Sequence, residues 1–103
     1  MNKLYIDTRD NQRIVVRLEK NGHVFEEESI ANKDRAQAAL PLVEKVLSRA
    51  KMRSSHVNEI NVETGPGSFT GLRVGIAIAN ALAFSSQVRI NRKRLGGIET
   101  PQY

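Results

Sequence analysis

Gly65-Pro66-Gly67-Ser68-Phe69-Thr70-Gly71-Leu72-Arg73, continuing as Val74-Gly75-Ile76-Ala77-Ile78-Ala79-Asn80-Ala81-Leu82-Ala83-Phe84, is the stretch whose reading decides the fold. A glycine-proline turn feeds a helix that carries almost no charge. On a wheel advancing about 100° per residue, Arg73 and Asn80 share one narrow polar wedge, and almost all the remaining arc is apolar or small. A helix apolar nearly all round is buried nearly all round, and one sheet face covers only one side of it. Gly71, Gly75, Ala79 and Ala83 recur every four residues as a ridge without bulky side chains. Glycine inside a helix costs roughly 1 kcal/mol against alanine, so the ridge implies a close packing partner. That partner is either the domain's own sheet or first helix, or a helix of another subunit.

The turn itself, Gly65, Pro66, Gly67 and Ser68, has two readings. A helix N-terminus binds anions, which suggests a phosphate cradle. Pro66 removes one of the amides a cradle uses, the lysine of a P-loop is missing, and Gly65, Gly67 and Gly71 do not make a dinucleotide fingerprint. Capping of the helix by Ser68 or Thr70 is the better reading.

Working outward, Leu4 to Thr8 reads as a short buried strand and Arg13 to Leu18 as a β-branched second one. Asn21-Gly22 marks a hairpin, and His23 to Ile30 returns as a third strand whose Glu26-Glu27-Glu28 run suits a sheet edge. A helix starts near Asn32, with Asp34 in its first turn. Ala36, Ala39, Leu40, Val43, Val46, Leu47 and Ala50 follow the helical period, Leu42 widens the apolar face, and Pro41 predicts a bend or break. Val57 to Glu63 is a fourth strand and Gln87 to Asn91 a fifth. The order βββαβαβ predicts an antiparallel trio joined by parallel strands: a mixed five-stranded α/β sheet with two main helices, the topology of a ribonuclease-H-like, actin-like ATPase half-domain over residues 1–91. Residues 92–103 read as a basic tail.

The chain has 103 residues, no cysteine and a formal net charge of +5. One domain with a real core fits that length. Disulfides, thiolate nucleophiles and cysteine-bound zinc are excluded. No apolar run approaches the roughly 18 residues of a membrane span, so the expectation is a cytoplasmic protein without membrane contact. The positive charge permits contact with nucleic acid or an acidic partner, although only Arg89, Arg92, Lys93 and Arg94 cluster.

Gly65 to Gly75 closely resembles the signature of the bacterial TsaB (YeaZ) family, and Ala81-Leu82-Ala83-Phe84 matches its continuation. Ile6-Asp7-Thr8 is similar to the family's first-strand motif, and Leu40-Pro41-Leu42-Val43 to its proline-bearing helix. The resemblance runs from Leu4 to about Ile90 and implies an actin-like fold of two similar halves. It implies a role in making threonylcarbamoyl-adenosine on tRNA as a non-catalytic partner of TsaD, with the small ATPase TsaE completing the assembly. It also implies docking through the two helices, residues 34–51 and 69–85, with self-pairing through the same surface in isolation, and an indirect or weak tRNA contact. On that reading the interface is carried by Leu42, Val46, Gly71, Leu72, Gly75, Ile76, Ala79 and Ala83. The second half has no counterpart here, and Arg9 stands where the family usually has a small residue, which disfavours a bound nucleotide; no cofactor is expected.

Enzymatic readings are weaker. His23 and His56 lack the spacing of a zinc pair, and no nucleophile-base constellation stands out, which disfavours a peptidase. Asp7 and Glu63 end strands that become neighbours in a ribonuclease-H-like sheet, where they could share Mg²⁺ with Asp34. Two-metal nucleases need more acidic ligands than that. A basic RNA-binding module using Arg89, Arg92, Lys93 and Arg94 is the alternative from another class.

Overall fold

Alternating apolar residues give each of the first strands one buried side, and the computed structural model, which describes residues 1–10, 12–30, 35–93 and 96–102, assembles those sides into a single core. The elements are β1 (Asn2–Asp7), β2 (Arg13–Lys20), β3 (His23–Ile30), α1 (Arg35–Arg49), one 3₁₀ turn at Ser54–His56, β4 (Glu59–Val62), α2 (Phe69–Ser86) and β5 (Arg89–Ile90). The sheet order is β3-β2-β1-β4-β5. β1 pairs antiparallel with β2, as does β2 with β3, whereas β1–β4 and β4–β5 are parallel. This is the expected mixed sheet.

Leu4 and Ile6 of β1, Ile14, Val16 and Leu18 of β2, and Ile60 and Val62 of β4 point to the side covered by both helices. From α1, Ala39, Leu42, Val43, Val46, Leu47 and Ala50 complete that core. Leu40, expected on the buried face, is 45% exposed, and Leu42 takes its place inside. α1 continues through Pro41 without the expected break. Pro41 lies on the exposed side of the helix, where its ring meets solvent rather than the core. The expected start of this helix at Asn32 and Asp34 lies outside the described residues.

β3 is an edge strand, but its glutamates do not all face solvent. Glu27 turns under α1 and meets Lys45 Nζ at 3.1 Å and the Arg49 guanidinium. The hydrogen bond from Lys45, opposed by desolvation and aided by that from Arg49, holds its carboxyl below the usual range. The opposite sheet face carries no helix among the described residues and is a mosaic of charge. In register across it lie Glu26, Arg17, Tyr5 and Asn61, with Arg17 Nη2 at 2.8 Å from Glu26 and its guanidinium 5.0 Å from the Tyr5 ring. Matched charges directly opposite one another make a solvated face tolerable.

β5 is only two residues long, yet the β4 edge is not left open. Asn91, in the left-handed region at φ 49°, sends its side chain where the strand would have continued. The Val62 amide donates to its Oδ1 at 2.8 Å, and its Nδ2 donates to the Val62 carbonyl at 3.0 Å and to Glu99 Oε2 at 2.6 Å. The segment read from sequence as a tail returns onto α2: Asn80 Nδ2 donates to the Glu99 carbonyl at 3.0 Å, and the Glu99 amide donates to Asn80 Oδ1 at 2.9 Å. The Gln102 amide then donates to the Thr64 carbonyl at 2.6 Å. Asn80, half of the polar wedge seen on the wheel, is thus the anchor of this segment. Asn91→Leu removes three of these bonds and leaves the Val62 amide without its partner; we expect a loss of about 2–3 kcal/mol in urea unfolding, with an unchanged m-value.

Candidate functional site

The motif lies where β1 ends and α2 begins. Thr8, which follows β1, is fully buried, and its hydroxyl donates to the Gly71 carbonyl at 2.6 Å. The Ser68 amide donates to the Arg9 carbonyl at 2.8 Å, tying the loop after β1 to the turn before α2. Side chains at three motif glycines would collide with that loop. A Cβ on Gly67 would meet Arg9, one on Gly71 the Thr8 carbonyl, and one on Gly75 the Thr8 hydroxyl, all inside van der Waals distance. Gly65 is demanded differently: its φ of +131° disfavours any side chain, and a Cβ would strike the Gln102 carbonyl.

At Gly71 and Gly75 the close-approach ridge therefore faces Thr8 of its own chain. Gly71, Gly75, Ala79 and Ala83 are all buried, and Leu72 and Ile76 lie with the two alanines in the core. Leu42 and Val46 of α1 are buried likewise. These eight residues, expected at a subunit contact, are buried inside the monomer, and the two glycines among them let α2 approach Thr8. What α2 leaves outside is a different stripe: Thr70, Arg73, Ala77, Ala81 and Phe84 are exposed, and Val74 is half-buried beside them.

Pro66 and Gly67 are exposed, and Ser68 is the N-cap: its hydroxyl accepts from the Gly71 amide at 3.2 Å and its carbonyl from the Leu72 amide at 2.9 Å. The Ser68, Gly71 and Leu72 amides thus have partners within the chain, and Ser68 caps the start of the helix.

Asp7 and Glu63 do come together, as their neighbouring strands require, but Arg9 stands between them. Its Nη2 lies 3.0 Å from Asp7 Oδ2 and its Nη1 lies 3.5 Å from Glu63 Oε2. Tyr5 adds a hydrogen bond from its hydroxyl to Glu63 Oε1 at 2.8 Å. Burial pushes the Asp7 carboxyl up, but the hydrogen bonds and charge of Arg9, with the charge of Arg13, outweigh it and hold Asp7 below its ordinary value. Burial raises the Tyr5 hydroxyl, and the bond to Glu63 raises it further. A shallow bowl of about 360 Å³ opens beside this cluster, lined by Asp7, Arg9, Asp10, Arg13, Pro66 and Gly67. Its two carboxylates and two guanidinium groups balance, so it offers a ligand no net charge. Asp34, the third carboxylate considered for a metal, lies outside the described residues. Among the described residues no cluster of three or more metal-ligating side chains occurs.

The histidines are not drawn to this cluster: His23 opens β3, and His56 Nδ1 accepts from the Arg53 amide at 3.2 Å. Of the basic cluster, Arg92 Nε lies 3.6 Å from Glu59 and Lys93 Nζ 3.3 Å from Glu99, while Arg94 is outside the described residues. Sequence reasoning passed over Thr8 as a packing residue. Nothing in the local pattern marks it, because its partners lie more than sixty residues away.

A βββαβαβ chain with this strand order, and with the motif turn at the carboxyl end of its fourth strand, defines a ribonuclease-H-like half-domain of the actin-like class. The profile of the TsaD family, tRNA N6-adenosine threonylcarbamoyltransferase, matches residues 20–91, and the chain belongs to that family of TsaD-like domains, on its TsaB/YeaZ side. It is 31% identical over 91 residues to the tRNA threonylcarbamoyladenosine biosynthesis protein TsaB of Bacillus subtilis, covering 88% of this chain and 40% of that protein. With the Escherichia coli TsaB it shares 33% over 88 residues, 85% of this chain and 38% of the relative. The solved structure of YeaZ from Pseudomonas aeruginosa superposes with a TM-score of 0.82 at 31% identity, over 87% of this chain and 43% of that one. The chain thus spans about two fifths of the length of these relatives. No helix among the described residues is long and apolar enough to cross a membrane.

Gly75→Ala places a methyl group against the Thr8 hydroxyl. It is expected to cost about 2 kcal/mol or more, and to cost measurably less in a Thr8→Ala background, a coupling readable from a double-mutant cycle in urea. Acidification gives a second test. With its carboxyl held low in the folded chain, Asp7 contributes stability above the unfolded carboxylate pKa near 4, and that stability is lost as pH falls through the lower folded value. The urea midpoint should drop below about pH 4, and by less in Arg9→Gln.

Proposed function

We propose that this chain is a non-catalytic interaction subunit of the tRNA threonylcarbamoyladenosine machinery. It docks on a TsaD-like catalytic subunit through the outward faces of its two helices, with a TsaE-like ATPase as a third component, and without that partner it pairs with a second copy of itself. The observation that carries the reading is the outer stripe of α2. Thr70, Val74, Ala77, Ala81 and Phe84 run along a helix whose other side is already buried, and Phe84 is 84% exposed. Arg73 supplies the stripe's one charge. On α1, Leu40 and Pro41 are exposed as well. A contiguous apolar stripe of small residues on a packed helix is a surface that water disfavours and that a second helix covers closely. The engagement of Arg9 with both Asp7 and Glu63 supports the non-catalytic part, since the carboxylates nearest the motif are held in a structural ion pair. The names of the relatives support the pathway.

Ala77→Arg combined with Ala81→Arg places two charges on the stripe and leaves the core untouched. Affinity for a TsaD-like protein, and self-association by light scattering, should fall at least about tenfold while the urea midpoint stays put. Gly75→Val, by contrast, should unfold the monomer. Retained binding by the Ala77→Arg/Ala81→Arg variant would sink this reading, as would a wild-type chain that associates with neither partner.

A further inference from the structure

We infer that the end of the domain opposite the Gly-Pro-Gly turn is a contact surface for the sugar-phosphate backbone of structured RNA. The net charge of +5 is not spread evenly over the molecule. Toward the other end of the open sheet face and in the second half of α1 the cations have carboxylate partners: Arg9 with Asp7 and Glu63, Arg13 with Glu28, Arg17 with Glu26, and Lys45 and Arg49 with Glu27. At the amino-terminal ends of β1 and β4 the balance is different. Lys20 Nζ donates to the Ala50 carbonyl at 2.9 Å, which places it beside Lys51. Lys51 and Arg53 are exposed, and neither has a carboxylate partner among the described residues. Glu59 lies 3.9 Å from Lys3 and 3.6 Å from Arg92, and Arg89 is opposite it in the sheet register. Around this end Lys3 and Arg89 on the open sheet face, Lys20, Lys51 and Arg53 on the helix side, and Arg92 outnumber the carboxylates Glu19 and Glu59 by four, most of the chain's excess of five.

This end is also held in place. The Asn2 amide donates to Asn58 Oδ1 at 2.7 Å, Asn2 Nδ2 to the His56 carbonyl at 3.0 Å, and the Asn58 amide back to the Asn2 carbonyl at 2.8 Å. These bonds fix the connector that carries Lys51 and Arg53 against the start of β1. The chemistry of the connector selects the partner. Its exposed side chains are Lys51, Arg53, Ser54, Ser55, His56 and Asn58: cations, hydroxyls, an imidazole and an amide. Those groups make phosphate and sugar contacts. The core of a protein interface needs aromatic or aliphatic anchors and is depleted in lysine and serine, and this connector exposes no such anchor. It exposes no aromatic platform for unstacked bases either, which favours the backbone of folded RNA over a single strand.

Fluorescence anisotropy of the full chain with bulk tRNA, a single-stranded poly(U) of similar length and a poly-glutamate peptide tests this. The expected result is tRNA binding that weakens steeply with salt. Lys51→Gln with Arg53→Gln should lower affinity about tenfold at roughly 100 mM salt and reduce the log–log salt slope by about 1.8, the loss of two phosphate contacts. Arg13→Gln with Arg17→Gln, which removes two matched cations, should change neither. The Ala77→Arg/Ala81→Arg variant should keep full tRNA affinity, which separates this surface from the helix stripe. Unaltered binding in the Lys51→Gln/Arg53→Gln variant would overturn the proposal. So would an equal loss in the Arg13→Gln/Arg17→Gln variant, or competition by poly-glutamate at equal charge concentration, which would point to an acidic protein instead.

Discussion

Thr8 and the glycines it touches set the spacing of the whole molecule. The residue is fully buried just past the end of β1, and its hydroxyl grips the Gly71 carbonyl in the first turn of α2. A threonine can sit there only because Gly71 and Gly75 present bare backbone to it. The approach is short enough for the loop after β1 to accept the Ser68 amide, and that bond aligns the helix with the sheet. Any larger residue at Gly71 or Gly75 would lift α2 from the loop after β1, opening space between the sheet and the Leu72, Ile76 and Ala79 side chains on the helix's buried side.

Once α2 is seated so closely, its two sides acquire separate tasks. The ridge side closes the core together with α1, while the stripe from Thr70 to Phe84 faces outward with few polar groups. The sheet treats its own two faces in the same unequal way. One is apolar and covered; the other is a lattice of opposed charges, with Arg17 between Glu26 and Tyr5 and Arg9 between Asp7 and Glu63. Exposed pairs of this kind contribute little stability each, and their effect here is to make an uncovered sheet face compatible with water. Excess cations collect instead at the end where the connector after α1 meets the start of β1.

The carboxyl-side edge is finished with side chains in place of a strand. β5 stops after two residues, and the Asn91 amide imitates the backbone that would have followed, donating to and accepting from Val62. Asn80 does the same for the returning segment at Glu99. Glu99 links the two, receiving a hydrogen bond from Asn91 and lying 3.3 Å from Lys93, so the edge is closed by one connected polar network.

The sequence by itself determined the element order, the mixed sheet, the hairpin at Asn21-Gly22, a helix cap at Ser68 or Thr70 and the family, because each is written in local periodicity or in a contiguous motif. It also determined that α2 is apolar on nearly every side and that its ridge must be closely approached. Which partner approaches the ridge was decided only by tertiary structure: Thr8 meets Gly71 and Gly75 across more than sixty residues, a distance no local pattern encodes. The same holds for Arg9, whose guanidinium joins carboxylates at the ends of two neighbouring strands, and for Leu40, which is left outside while Leu42 is buried once α1 has settled on β2 and β3. A helical wheel gives the angles between side chains but not the direction of the core. That direction comes from the sheet, which buries whichever arc lets the backbones come closest and leaves the remaining apolar arc to solvent or to another protein.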